Sequence, residues 1–396
     1  MKRGDWRKNN WVAILVGILL AVISVVALEA IFFHWNKSRY ANLLRGRVVY
    51  PPALSSRLEA DGPHGHPTSF HRLKTVSDPL SSLAHLHFEK LDRSKEILTG
   101  FWRDAVRLKQ NVSQRSVVKV ASTGETVFDV TYSTDEYGRR ITPGQEGSGR
   151  NKHLLLMGCS FVFGIGVDQE DTLPAKVAQQ TRSHRVYNFG LPGSSPAHFL
   201  ELGAEDEFWD GIKEREGAAA FIFMDDHINR ALGTMSVTGN WGQNMPYVVE
   251  NENGLLEVKG TFQTDRAFTT NLYSWLWQSE IVKAFGINLP WKTTQRDFDF
   301  IARIYMQIKA LYQQRFPNQK FLVVGYPGAH SFAMPFLKRS FEARGVDYVD
   351  NSEFFLEQYT EKPVSIKYDL HPTAEANKIW APVLAEDLGL KSGTSN

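Results

Sequence analysis

Hydrophobic and polar positions change period several times along the chain, and each change predicts a different element. Trp11 to Leu28 (WVAILVGILLAVISVVAL) carries no charge, and after Glu29 the apolar run resumes from Ala30 to Phe33. As a helix, residues 11–33 would reach about 35 Å, slightly more than the roughly 30 Å hydrocarbon core of a bilayer. Trp11 and Trp35 fall where interfacial aromatics are expected. The pattern predicts one transmembrane helix over 11–33 behind a basic tail, residues 1–10. A cleaved secretion signal is the rival, and its usual apolar region is shorter than this one. Lys2, Arg3, Arg7 and Lys8 before the span balance Lys37, Arg39, Arg45 and Arg47 after it, so orientation rests on the short tail. That tail points to a single-pass protein of a bacterial inner membrane, with the rest of the chain in the periplasm or outside.

Residues 34–110 read as a linker followed by amphipathic helices. Pro51-Pro52, Pro63 and Pro67 interrupt residues 34–78, whereas Leu83, Leu86, Leu91, Ile97, Phe101 and Val106 recur at roughly helical intervals over 80–109. Within residues 111–150 the period shortens, and VVKVASTGETVFDVTY (Val117 to Tyr132) forms two β-rich runs around Thr123-Gly124, a hairpin signal. This segment is expected to lead into the main domain, residues 151–390. There, five short apolar runs alternate with helical stretches such as Thr172 to Thr181 and Phe298 to Phe316. The runs are His153 to Met157, Arg185 to Asn188, Ala219 to Met224, Phe321 to Val324 and Val346 to Val349. Such alternation predicts a five-stranded parallel sheet between helices, a three-layer α/β/α domain of the flavodoxin-like kind. The long gap before the fourth run holds a predicted hairpin (Tyr247 to Glu250, Leu255 to Lys259) and an aromatic-rich helix, Leu272 to Phe285. Tyr273, Trp275, Trp277 and Trp291 there read as core.

Charge and cysteine content narrow the function. Forty-five Lys plus Arg against 43 Asp plus Glu leave a net charge of +2, far from the basic excess that phosphate-dominated nucleic-acid binding needs. The single cysteine, Cys159, excludes an internal disulfide and any multi-cysteine metal site. His64, His66 and His71 lack a carboxylate or cysteine at ligand spacing and read as a solvated loop. No metal and no cofactor is expected.

The chemistry concentrates at strand ends, where open parallel sheets place their sites. The first ends in Gly158-Cys159-Ser160-Phe161-Val162, the second in Asn188-Phe189-Gly190-Leu191-Pro192-Gly193, and the third in Met224-Asp225-Asp226-His227-Ile228-Asn229-Arg230. A late loop adds Tyr368-Asp369-Leu370-His371-Pro372. A serine hydroxyl needs a base to take its proton, and the base needs a partner to hold its tautomer. Asp369 and His371, two residues apart in a loop, fit those roles toward Ser160. An oxyanion would need donors, for which the N–H of Ser160, the N–H of Gly193 and a side chain from the third strand end are the natural suppliers. Cys159 could serve as nucleophile only if it shared His371, which its opposite orientation in an extended turn disfavours. An α/β-hydrolase elbow is excluded because the final glycine of G-x-S-x-G is missing. His330, after the fourth run, reads as a surface turn.

These blocks resemble the SGNH/GDSL hydrolase family, over about 230 residues from Lys152 to Leu388. GCSFVFGIGV stands at the serine block, YNFGLPG at the glycine block, and Asp369-Leu370-His371 at the late pair. The resemblance implies Ser160 as nucleophile, Gly193 as an oxyanion donor, His371 as base and Asp369 as its partner. Two departures stand out: Cys159 replaces the usual aspartate, and DDHINR replaces the family's Gly-x-Asn-Asp. His227 would then supply the missing side-chain donor, with Asn229 or Asp226 as alternatives, or else simply satisfy Asp225. Asn188, Asp226, Asn229 and Arg139 of DEYGRR (Asp135 to Arg140) are expected to touch substrate. The implied function is a serine esterase that removes short acyl groups, most plausibly acetyl, from a carbohydrate or lipid-linked partner near the membrane. An O-acyltransferase acting on an envelope polysaccharide and a catalytically inactive SGNH-like binding module are the alternatives.

Overall fold

Strand pairing begins before the expected main domain. In the computed structural model, which describes residues 23–31, 91–95, 106–146, 149–327, 333–352, 354–355 and 364–390, β1 (Leu91–Lys95), β2 (Ser113–Val120) and β3 (Thr126–Ser133) form an antiparallel sheet in that order. Ser116, Val118 and Val120 of β2 and Phe128, Val130 and Tyr132 of β3 are buried, so the alternating pattern puts one face inward. The lead hairpin is therefore present and gains a third strand. Leu91 pairs with Val120 and Lys95 with Val117, so this part of the segment expected to be helical is an edge strand. Hydrogen bonding to an open hairpin edge outweighs a loose helical spacing of apolar residues. The rest of the expected helices, residues 80–90 and 96–105, lies outside the described residues.

The second sheet holds β4 (Lys152–Gly158), β5 (His184–Gly190), β6 (Glu216–Phe223), β9 (Lys320–Gly325) and β10 (Asp347–Asp350), all parallel, in the order β10-β9-β6-β4-β5. A hairpin of β7 (Pro246–Glu250) and β8 (Leu256–Thr261) intervenes in sequence. Successive side chains of a strand point to opposite faces, and here the alternation sorts the core in two. Leu155, Met157, Phe221, Phe223, Phe321 and Val323 join one buried cluster, while Leu154, Leu156, Ala220, Ile222, Leu322 and Val324 join the other. Burial on both faces is why these strands read as continuous apolar runs rather than as alternating ones.

Helices cover both faces, in sequence order α1 (Ser160–Phe163), α2 (Leu173–Ala178), α3 (Pro196–Gly203), α4 (Asp226–Leu232), α5 (Gln295–Arg315), α6 (Met334–Glu342) and α7 (Ala374–Asp387). The first cluster packs under α3, α5 and α6 through Phe199, Ile301, Tyr305 and Phe341; the second packs under α2 and α7 through Val177, Trp380 and Leu384. A mixed α/β domain with a five-stranded parallel sheet is the observed architecture.

Contact density divides the chain into two units, Met1–Phe88 with Leu272–Trp291, and Glu89–Asn271 with Lys292–Asn396. The first corrects two expectations. Among the described residues no helix is long and apolar enough to cross a membrane. Of the expected span, residues 23–31 are helical, and residues 11–22 and 32–33 lie outside the described residues. Glu29, the one charge in the run, accepts hydrogen bonds from the Ser279 hydroxyl and, at 2.7 Å, from the Glu280 N–H. Its carboxylate thus sits at the N-terminus of the helix Glu280–Ala284, where an anion is favoured. A single-pass anchor, with the inner-membrane location and membrane partner derived from it, is not supported. The aromatic-rich helix is two pieces, Ala267–Leu276 and Glu280–Ala284. Trp275 is 68% exposed and Trp291 61%, so these indoles are not core.

Candidate active site

Ser160 occupies its position because β4 ends on a glycine. Gly158 adopts φ 154°, and a Cβ there would stand 2.7 Å from Val162 Cγ2, so a side chain would block the turn. The chain then coils at once into α1, with Cys159 as its N-cap and with the N–H groups of Val162 and Phe163 donating to the Cys159 carbonyl at 3.1 and 3.0 Å. Cys159 and Ser160 diverge, as neighbours in a turn do. The Cys159 thiol approaches the Met224 sulfur at 3.4 Å.

Two buried side chains hold α1 from behind. The Arg140 guanidinium donates to the carbonyls of Phe163 at 2.9 Å, of Val167 at 2.7 Å and of Gly164. It also lies 4.8 Å from the centre of the Tyr132 ring. Burial pulls its pKa down to about 10, still far above neutrality, so a cation sits at the C-terminal end of the helix that starts with Ser160. Asn188 donates to the Val162 carbonyl at 3.1 Å and accepts from the Gly190 N–H at 2.9 Å. Gly190 lets β5 approach this close, since a Cβ there would stand 2.0 Å from the Phe163 nitrogen. The following loop is tied to the same turn: Leu191 N–H and Ser194 Oγ both donate to the Gly158 carbonyl, at 2.9 and 3.3 Å. Gly193 is thereby carried beside the Ser160 turn.

The third component comes from the far end of the chain. Tyr368 and Leu370 both take left-handed conformations, φ 69° and 70°, and the N–H groups of Asp369 and Leu370 both donate to the Ile366 carbonyl. This tight loop, closed by Ile366 N–H donating to the His371 carbonyl at 2.8 Å, turns both acidic and imidazole side chains the same way. His371 Nε2 stands 2.9 Å from Ser160 Oγ, and Nδ1 contacts Asp369 Oδ1, whose side chain is fully buried. An ionised Asp369 assigns the proton to Nδ1, which leaves Nε2 to accept from the serine hydroxyl. Phe161 packs edge-on to His371 with ring centres 5.5 Å apart.

The third strand end behaves differently from expectation. His227 is fully buried and packs edge-on to Phe221 and Phe223. Its Nδ1 faces the Met224 N–H at 3.4 Å, its Nε2 has no hydrogen-bond partner, and burial holds its pKa well below the usual value. The ring is packed in the core layer, and because Nδ1 accepts from Met224, the proton sits on the unpartnered Nε2. Asp226, half-exposed, accepts from Arg230 Nε at 2.8 Å, and Arg230 Nη1 donates to the Ser194 carbonyl at 2.9 Å. Asn229 lies half-buried on the same helix. Arg139 and Asn188, expected to meet substrate, are buried. Arg139 bonds Asp135 at 3.1 Å and the Asp210 carbonyl at 3.0 Å, and its guanidinium lies among the rings of Tyr137, Tyr187 and Phe189. Its neighbour Arg140 reaches α1 instead, and no feature of DEYGRR distinguishes the two. His330 lies outside the described residues. Among those described, no cluster of three or more His, Cys, Asp or Glu is placed to hold a metal.

No family model and no curated protein matches the chain. Solved structures do. The chain is similar to a lipolytic protein of the G-D-S-L family from Veillonella parvula, at 8% identity over 60% of this chain and 97% of that one, with a TM-score of 0.33. It is similar to a lipase/acylhydrolase from Enterococcus faecalis, at 11% identity over 62% and 100%, TM-score 0.33. A third is an acetyl xylan esterase from the rumen bacterium Butyrivibrio proteoclasticus, at 9% identity over 62% and 66%, TM-score 0.35.

Proposed function

We propose that the protein is a serine esterase that hydrolyses short acyl esters, with acetyl esters of a carbohydrate or lipid-linked alcohol as its substrates. The observation that carries this reading is the hydrogen-bonded series from Ser160 Oγ through His371 to buried Asp369. In the acylation step His371 Nε2 takes the Ser160 proton as Oγ attacks the ester carbonyl. The oxyanion forms beside the N–H groups of Ser160 and Gly193. His371 then returns the proton to the departing alcohol, which leaves an acyl group on Ser160. Water, deprotonated by His371, attacks this acyl-enzyme, releases the carboxylic acid and restores the serine. Asp369 keeps the imidazole in the tautomer that both steps require.

The test is covalent labelling with a fluorophosphonate, followed by hydrolysis of p-nitrophenyl acetate. Wild type labels and turns over, and Ser160→Ala does neither. A folded wild type that resists labelling overturns the enzyme reading. Labelling without hydrolysis moves the assignment to acyl transfer, in which an acceptor hydroxyl replaces water.

A further inference from the structure

Trp241 is an exposed indole held in a fixed place. The loop that carries it is locked by one acceptor, the Val237 carbonyl, which receives the N–H groups of Asn240, Trp241 and Gly242 at 3.2, 2.9 and 2.8 Å. The Arg230 guanidinium lies 5.4 Å from the ring centre. The ring edge reaches Gly193, where a Cβ would stand 3.3 Å from Cζ3 and 3.8 Å from Cη2. Nevertheless the residue remains 48% exposed. Arg230 is itself anchored to the Ser194 carbonyl and to Asp226, so the indole rests on a base built from the loop that follows β5 and from helix α4.

Its position assigns it a neighbour in the reaction. Gly193 is the backbone donor proposed for the oxyanion, so a carbonyl held there brings the group attached to it alongside the Trp241 ring. The surroundings select what that group is. A bare hydrocarbon chain calls for an enclosed apolar slot, whereas this ring stands open to solvent beside an ion pair. Both Arg230 bonds fall on Asp226 Oδ2, which leaves Oδ1 of a side chain that is 41% exposed. An open aromatic face flanked by a carboxylate acceptor suits a pyranose, whose electropositive C–H face meets the negative π face while its hydroxyls donate to an anion.

We propose that Trp241 is the stacking platform for the sugar ring that bears the acyl ester, with Asp226 accepting from one of that ring's hydroxyls. The proposal rests on the esterase reading and adds to it the residue that selects a carbohydrate.

The experiment compares full-length wild type, Trp241→Ala and Trp241→Phe on two acetate esters, mono-acetylated methyl xyloside and p-nitrophenyl acetate. The readout is the ratio of kcat/KM for the sugar ester to that for the aryl ester. The expected result is a fall in this ratio of about tenfold or more in Trp241→Ala, with most of it restored in Trp241→Phe, in line with the worth of one aromatic stack. An unchanged ratio overturns the proposal, whether both activities persist or fall together. A change that follows acyl-chain length rather than the sugar also overturns it and makes the indole an acyl-side contact. Wild type inert toward both esters defeats the esterase reading itself. Isothermal titration of Ser160→Ala with the sugar ester separates the cases: binding that Trp241→Ala abolishes supports the platform without turnover.

Discussion

Ser160 Oγ stands 2.9 Å from His371 Nε2 across 211 residues of chain. The contact depends on two local devices, the glycine that ends β4 and the pair of left-handed residues around Asp369. In the proposed reaction these side chains act as a unit, so removal of one disables the others. Ser160→Ala should lower kcat for p-nitrophenyl acetate by about 10³-fold or more. Asp369→Asn should lower it by about 10⁴-fold through the wrong imidazole tautomer. Circular dichroism of both variants checks that the fold is intact. Turnover by Asp369→Asn within tenfold of wild type would remove the aspartate from the proposed chemistry.

Arg140 holds the end of α1 opposite Ser160, the proposed nucleophile. Three carbonyl acceptors in different directions suit a planar guanidinium and not a single ammonium. Arg140→Lys should therefore be only a partial rescue of Arg140→Met. The Met variant leaves those carbonyls buried and unpaired and should lose about 3 kcal/mol of stability or more, measured by urea unfolding. At temperatures where both variants stay folded, the rate of fluorophosphonate labelling should fall with KM little changed, since the helix that aims Ser160 is released. Equal labelling rates in all three proteins would confine Arg140 to stability.

The parallel sheet was legible because Leu154 to Met157 and Ala218 to Phe223 are buried on both faces, and a strand in that setting shows an unbroken apolar run. Ser160 and His371, which the structure brings within 2.9 Å of each other, stand out in the sequence because turn glycines and an Asp-x-His loop mark the ends of such runs. Side-chain direction was not legible. His227 and Asp226 are adjacent, and only packing against Phe221 and Phe223 decides that the histidine goes inward. Arg139 and Arg140 pose the same problem. Tertiary pairing also made a strand of Leu91–Lys95 in a helical pattern. Glu29 shows a further limit, since an apolar run with one charge reads as a bilayer span until the helix end that uses that charge is seen.

Three buried histidines, His153, His198 and His227, make the fold sensitive to acid. Burial pushes the His198 imidazole down from 6.5 to about 4 and holds His227 well below its usual value. Between those limits the unfolded chain takes up protons that the folded chain refuses, so stability is fully present above pH 6.5 and falls as pH drops toward 4. His198 alone should account for about 3 kcal/mol across this window. In His198→Asn, the side-chain oxygen can still accept from the Ser195 N–H that now donates to Nδ1 at 3.0 Å. That variant should show a shallower decline in urea midpoint between pH 6.5 and 4.5. An identical pH slope would mean that His198 is not the group responsible.

The closest backbone approach at the site should also be its least tolerant position. A methyl group at Gly190 would lie 2.0 Å from the Phe163 nitrogen and 2.6 Å from both Phe163 Cα and the Val162 carbonyl carbon. None of these is the free end of a flexible side chain. The segment they belong to cannot retreat, because Asn188 and Arg140 grip its carbonyls from two directions. Gly190→Ala should therefore cost more than about 4 kcal/mol, at the extreme of single substitutions, or prevent soluble expression altogether. Gly203 is the control. It closes α3, and a methyl there would first meet Leu311 Cδ1 at 3.3 Å, the tip of a mobile side chain. Gly203→Ala should change stability by no more than about 1 kcal/mol, the higher helix propensity of alanine offsetting a small rearrangement. Comparable thermal midpoints for the two variants would show that β5 and α1 can separate, and that the Ser160 turn is held less tightly than its contacts imply.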